Sequence, residues 1–280
     1  MAATQIGQNI AFVNWTVLTG LAVGSYLAVV LLRRRTSATS GFLGFVAGCA
    51  FIFGVLAWLS DGALPSTIVD SPVTSDLAWA QPRATALLAF FVLVAVGIVV
   101  RRLGPSAGTW VELAALGAGG LVLIFAARSW GGPTVLGFGA LLLQFVVVTA
   151  SAGGVFAAMI LGHWYLVTPK LPESPLIMLS RALFAVVAVQ IILFWVWIAT
   201  GAGPADTAPF SALTGSWALF VWLRLIVGLI FPLVVSWAAV QTAKTRSMES
   251  ATGLQYINVG SILAGTIVAA GLYFGAGLLV

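Results

Sequence analysis

Charged side chains are scarce in this sequence: Asp, Glu, Lys and Arg make up only 7% of its 280 residues. Soluble domains usually contain about a quarter charged residues, so a soluble fold of this length would lack the charge to cover its surface. Hydrophobic residues instead make up 61%. The composition excludes an ordinary soluble protein and indicates one whose surface is covered by lipid.

Histidine and cysteine are almost absent, with one of each. The lone Cys49 excludes an intrachain disulfide, and a haem held by two histidines is excluded because only His163 is present. Met159 lies one turn from His163 on the same helix and cannot be the opposite ligand, whereas a methionine elsewhere, such as Met178, leaves His/Met ligation open. Clustered His and Cys sites for zinc or copper are excluded as well. We therefore predict neither haem nor a metal cluster in this chain.

Hydrophobic runs are abundant, and eight of them approach or exceed the roughly 20 residues that a membrane-spanning helix needs. They lack the strict alternation of barrel strands. We predict an all-α membrane protein with eight transmembrane helices over 10–32, 41–60, 84–100, 110–127, 135–166, 175–199, 214–240 and 255–279. The intervening segment 61–83, rich in proline and aspartate, is predicted to be irregular or a short helical cap.

Basic residues near the ends of the spans predict orientation, since cytoplasmic loops are enriched in Lys and Arg. With both termini on the non-cytoplasmic side, the opposite side holds nine basic residues and the terminal side only Arg83 and Arg128. This distribution predicts a multi-pass protein of the cell (inner) membrane. Because the basic clusters cap hydrophobic spans, they indicate contact with lipid rather than nucleic acid. The nine are Arg33, Arg34, Arg35, Arg101, Arg102, Lys170, Arg181, Lys244 and Arg246.

An internal duplication is predicted within a single membrane domain. A shift of 130 positions aligns small and polar residues of the first span with the fifth, including Gly24 with Gly154 and Asn14 with Gln144. Each half then contains four spans, and both halves begin on the same side. We predict two parallel four-helix repeats, residues 1–130 and 131–280.

Four polar or aromatic residues flank the turn between the fifth and sixth spans. In a helical hairpin, His163 and Arg181 are predicted to lie at similar depth, with Trp164 and Tyr165 beside them. These groups could hydrogen-bond a quinone head group, and histidine exchanges protons near neutral pH. The alternative is that they only anchor the helices at the membrane interface, a role typical of Trp and Tyr.

Ionisable residues inside spans are costly and are functional candidates by default. Arg224 lies near the middle of the seventh span and needs an acceptor, for which Gln190 is one candidate. Glu112 is either a proton-uptake carboxylate or a helix N-terminal acid stabilised by the helix dipole. Asp61 is a further candidate for handling protons or charge.

The first third of the sequence resembles the NrfD/polysulfide-reductase family of membrane subunits. Asn14-Trp15 and the small-residue run 19–27 resemble the opening helix of that family. Segment 61–65 (DGALP) is similar to its acidic turn, and segment 75–79 (SDLAW) to the element before its third helix. The resemblance implies eight core helices without haem, a quinone as ligand and a partner that carries an iron–sulfur or other redox centre.

We therefore expect a haem-free subunit of a respiratory or other electron-transfer complex. It would interact with quinone through His163, Tyr165, Arg181 and Trp164, and anchor an iron–sulfur or cytochrome partner. The short loops favour a subunit over an enzyme that acts alone. Two alternatives stay open: a secondary transporter with Arg224 as its midplane charge, and a structural or pigment-binding subunit in which His163 ligates the magnesium of a chlorin.

Overall fold

The fold is a bundle of α-helices, as the sequence predicts. The computed structural model describes residues 2–168 and 170–280, without the side chains of residues 103, 105 and 106, and contains no strand within them. Eight helical segments are long and apolar enough to cross a membrane. The predicted fold class is thus confirmed.

The helices follow one another with short connections. They are α1 (Ala2–Gln8), α2 (Ile10–Arg35), α3 (Ser40–Gly62), α4 (Ala80–Leu103), α5 (Pro105–Trp130), α6 (Val135–Val167), α7 (Ser174–Thr200), α8 (Ala218–Leu225), α9 (Phe231–Lys244) and α10 (Met248–Ala276). A π-helical turn, Ile226–Ile230, joins α8 to α9, so that these three elements form one span, Ala218–Lys244. Two short 3₁₀ turns, Leu77–Trp79 and Ser211–Leu213, lie in the longer loops.

Three features differ from the sequence-based expectation. The short helix α1 precedes the first span, and the π turn interrupts the seventh. The last helix begins at Met248, seven residues before the predicted start, and its polar first turns contain side-chain hydrogen bonds such as that from Thr252 Oγ1 to the Met248 carbonyl at 2.7 Å. Hydropathy alone places a helix end where polarity rises, whereas the helix continues beyond the apolar run.

Both ends of the described chain lie at one end of the bundle, here called the terminal face. There the Asn9 side chain donates to the Val69 carbonyl at 2.9 Å and accepts from the Val69 amide at 3.1 Å. The Tyr273 hydroxyl likewise donates to the Trp130 carbonyl at 2.8 Å. The opposite end, here called the basic face, carries Arg33 and Arg101. That both termini share one face is thus confirmed, and the cytoplasmic position of the basic face stays a prediction.

The centre of the bundle is the crossing of α2 and α6, which run in the same direction. A Cβ added to Gly24 would lie 1.9 Å from the Thr149 carbonyl oxygen, and one added to Gly153 would lie 2.0 Å from the Ser25 amide nitrogen. Only glycine permits such an approach of two backbones. The pairing of the first and fifth spans at equal depth agrees with the predicted duplication, which itself stays a prediction.

Candidate functional site

The residues predicted to form a quinone site around His163 make separate contacts, and the site itself stays a prediction. His163 is exposed on the outside of the bundle, where its Nδ1 lies 3.4 Å from the Tyr256 hydroxyl of α10. Arg181 is exposed on α7. No hydrogen bond or ion pair of the described residues joins these two side chains.

The two aromatic neighbours of His163 point in other directions. Trp164 packs against Phe42 and Phe45 of α3, with ring centroids 6.3 and 6.4 Å away. Tyr165 is buried, and its hydroxyl donates to the Pro172 carbonyl at 2.5 Å, which fastens the α6–α7 loop. Each of the two therefore has a packing role that accounts for its position.

A second group of residues does converge, at the basic face between α2, α4 and α5. Glu112 is only 2% exposed and forms ion pairs with both Arg33 and Arg101. Arg101 binds it with two parallel hydrogen bonds, from Nε to Oε1 at 2.8 Å and from Nη2 to Oε2 at 2.6 Å. Such bidentate pairs fix geometry as well as charge.

This ion-pair cluster borders a cavity of about 600 Å³, here called the basic-face cavity. The volume lies within the roughly 300–1,000 Å³ of typical small-molecule sites. Its walls combine small apolar residues of α3 with the charged cluster, and a Cβ added to Gly44 would meet no atom within 4 Å. The lining comprises Tyr26, Arg33, Ala38, Ser40, Gly41, Leu43, Gly44, Ala47, Gly97, Ile98, Arg101, Arg102 and Glu112.

Tyr26 supplies a hydroxyl at the inner end of the cavity. Its ring packs edge-on against Phe90 with centroids 6.0 Å apart, and its oxygen lies 3.3 Å from where a Cβ of Gly97 would stand. Tyr26 and Arg33 are seven residues apart on α2, which is two helical turns and hence one face. The cavity is therefore a partly apolar space lined by a hydroxyl, a buried carboxylate and three guanidinium groups.

Among the residues that line this cavity, the sequence analysis identified only Glu112 as a functional candidate. Arg33 and Arg101 were already accounted for by membrane orientation, and Tyr26 stands within an apolar run. One signal was present in the sequence: the seven-residue spacing of Tyr26 and Arg33 places both on one side of α2.

Asp61 lies in a separate polar cluster near the terminal face. It accepts a hydrogen bond from Arg83 Nε at 2.6 Å, and Arg83 Nη1 donates to Ser129 Oγ at 2.8 Å. The guanidinium stacks over Trp130, 4.5 Å from the ring centroid. The pair is buried beside a small cavity of about 170 Å³. Sequence reasoning identified the carboxylate but missed its arginine partner.

Arg224 is buried inside the bundle, and Gln190 is its neighbour, as expected. Arg224 Nη2 donates to Gln190 Oε1 at 2.6 Å, and Nη1 reaches the Gly228 carbonyl at 3.4 Å within the π turn. The Nε atom has no hydrogen-bond partner. This residue lies in a region separate from the basic-face cavity.

Within the described residues, no three His, Cys, Asp or Glu side chains are grouped as metal ligands would be. The basic-face cavity, of about 600 Å³, brings convergent polar groups together and is therefore the candidate ligand site. No family model matches this chain, and no curated protein matches it.

Proposed function

We propose that this chain is a haem-free integral membrane subunit of an electron-transfer complex and that it binds a quinone in the basic-face cavity. The observation that carries the proposal is the combination in one space of a charged and polar cluster at the basic face and apolar walls from α3. A quinone likewise has a polar part, a ring with two carbonyl oxygens, and an apolar part, its tail. The resemblance to the NrfD/polysulfide-reductase family supports the same ligand.

The cavity residues fit the head group chemically. The Tyr26 hydroxyl and the guanidinium groups of Arg33 and Arg101 are hydrogen-bond donors suited to carbonyl oxygens. Glu112 holds both arginines in place and balances part of their charge, so the donors are arranged before the ligand arrives. Such preorganisation lowers the cost of ordering on binding.

Quinones carry electrons together with protons, so a head group here would exchange protons at the basic face. Arg102, exposed at the cavity rim, and Ser40, exposed on α3, mark where water reaches the site. In this proposal a redox partner, an iron–sulfur or cytochrome subunit, docks on the basic face and exchanges electrons with the bound quinone. The cell (inner) membrane is the proposed location.

The test fills the cavity without removing a charge. Gly44→Leu places a side chain into the open space, whereas Gly48→Leu, one turn further along α3, also meets no atom within 4 Å at its Cβ but does not line the cavity. The protein is purified in mild detergent from its native membrane, and bound quinone is extracted and quantified. We expect Gly44→Leu to lower bound quinone at least tenfold and Gly48→Leu to leave it unchanged.

Partner subunits are identified in the same preparations. Redox subunits that co-purify with both variants would support the proposal, since the cavity is separate from the docking surface. Bound quinone that is equal in the two variants would refute binding in this cavity.

An anionic solute is the second candidate ligand, because three arginines line the cavity against a single glutamate. In that case the chain would be a secondary transporter. Thermal stabilisation of the isolated protein by an anionic solute, abolished by Gly44→Leu and absent with quinone, would favour this alternative.

A further inference from the structure

A row of buried polar side chains follows the interface of α7, α8, α9 and α10, away from the basic-face cavity. We call this row the polar column. Near the basic face, Gln255 Nε2 donates to Ser180 Oγ at 2.8 Å. Deeper in the membrane, Asn258 Nδ2 donates to Ser236 Oγ at 2.9 Å, and the row ends at Gln190 and Arg224. The members are Ser180, Gln190, Arg224, Ser236, Gln255 and Asn258.

The column extends from the basic face to the membrane interior. At 1.5 Å per residue, Gln255 lies about 10 Å and Asn258 about 15 Å beyond the start of α10. Gly265, whose added Cβ would lie 2.8 Å from Arg224 Nη1, lies about 25 Å along the same helix. The polar groups are therefore spaced along a route rather than gathered at one depth.

Polar atoms of the column are left without partners at each level. Gln255 Oε1, Asn258 Oδ1 and Arg224 Nε are all buried and form no hydrogen bond. Buried polar groups are normally hydrogen-bonded, to water where protein groups are absent. Their alignment along a single interface indicates water or a small ligand in contact with all three levels.

The charge of Arg224 is also uncompensated. The residue is 2% exposed, and no carboxylate among residues 2–168 and 170–280 forms an ion pair with it. Its two hydrogen bonds go to neutral oxygens, from Gln190 and Gly228. A guanidinium buried inside a membrane protein is costly unless an opposite charge offsets its lost solvation.

We propose that the polar column is a hydrated route from the basic face to a binding site for a small monovalent anion at Arg224. The anion accepts a hydrogen bond from the free Nε and supplies the missing negative charge. Serine hydroxyls and water bound to the amide oxygens provide donors along the route. A fixed arginine repels cations and protons, as in other membrane pores, so the route selects against them.

Hydration is tested by introducing cysteines into a Cys49→Ala protein. Ser236→Cys places a thiol in the column, and Val234→Cys places one two residues away on the exposed side of α9. Small water-soluble methanethiosulfonates, one anionic and one cationic, are added from the basic face, and Ser37→Cys in the exposed α2–α3 loop calibrates their intrinsic rates. We expect Ser236→Cys to react at least tenfold faster than Val234→Cys, and faster with the anionic reagent relative to Ser37→Cys.

The anion site is tested by thermal unfolding of the whole purified protein. Chloride in place of gluconate at equal ionic strength is expected to raise the unfolding midpoint by roughly 2–4 °C. Arg224→Gln removes this rise, Arg224→Lys retains part of it because the positive charge remains, and Arg128→Gln, an exposed arginine at the terminal face, leaves it intact.

Each outcome decides the proposal. A Ser236→Cys thiol as unreactive as that of Val234→Cys would overturn the hydrated route. A chloride response that persists in Arg224→Gln, or no response in the native protein, would overturn the anion site even if the column holds water. Neither readout involves quinone, so these results are independent of the function proposed for the basic-face cavity.

Discussion

At the scale of single residues, the buried charges show how this chain holds ionised groups in lipid. Arg83 and Asp61 are 5% and 8% exposed, and the arginine also contacts Ser129 and the face of Trp130. Removing one member of such a pair leaves the other charge buried alone, which typically costs about 3–5 kcal/mol. The main effect of the pair on stability is therefore that replacing either residue alone destabilises the protein.

We predict that Arg83→Ala markedly destabilises the protein, with a loss of up to about 3–5 kcal/mol because Asp61 is left unpaired. The measurement is the thermal unfolding midpoint in detergent. Arg128→Ala is the matched control, since Arg128 is exposed at the same face and only covers the Phe138 ring at 4.0 Å. Equal midpoints for the two variants would contradict the interpretation. The double variant Arg83→Ala/Asp61→Ala should recover part of the lost stability.

Residue positions also show where sequence reasoning succeeds. The Arg224–Gln190 bond was predictable because both residues are polar and lie at one depth in adjacent spans. Equal depth does not decide which way a side chain points, since successive residues of a helix point about 100° apart. His163 faces Tyr256 on α10, whereas Trp164 faces α3. Depth follows from hydropathy, but the direction of a side chain depends on helix rotation, which the sequence does not display.

At the scale of helices, contact between α2 and α6 depends on two glycines. Because lipid tails are as apolar as the side chains, close backbone packing is a main driving force for helix association in a membrane. The Gly24 and Gly153 backbones leave no room for a methyl group. This contact is therefore sensitive to changes that an exposed helix surface would tolerate.

We predict that Gly153→Ala separates α2 from α6 and lowers the yield of folded protein at least several-fold, since the added carbon would lie 2.0 Å from the Ser25 amide nitrogen. Gly139→Ala on the same helix is the control, because its added Cβ meets no atom within 4 Å. That substitution should be neutral or stabilise the helix by up to about 1 kcal/mol. The readout is the monodisperse fraction in size-exclusion chromatography and the unfolding midpoint. Similar profiles for the two variants would show that the contact is dispensable.

At the scale of the whole molecule, the distribution of charge divides the bundle into two different faces. Nine basic residues belong to the basic face, whereas the terminal face has Arg83 and Arg128, the first of them neutralised by Asp61. The eight spans were predictable because hydropathy is a local property. The basic-face cavity was not, because it depends on how α2, α3, α4 and α5 are arranged around Glu112.

We predict that the basic face is cytoplasmic. In a Cys49→Ala protein, Thr67→Cys in the exposed terminal-face loop should react with a membrane-impermeant maleimide in intact cells. Ser37→Cys, exposed at the basic face, should react only after the membrane is permeabilised. The reverse pattern would place the proposed docking surface for the redox partner, and the mouth of its quinone site, on the outside of the cell.

The π turn of the seventh span determines which side chains share a direction. Twelve residues separate Arg224 from Ser236, and an uninterrupted α-helix would rotate them about 120° apart. A π turn takes up roughly one extra residue, which reduces the angle to about 20°. Deleting one residue from 226–230 should therefore restore a regular α-helix in which Arg224 and Ser236, now eleven positions apart, still lie about 20° apart. The π turn thus accommodates one extra residue and keeps the functional side chains of α8 and α9 on the same side of this span.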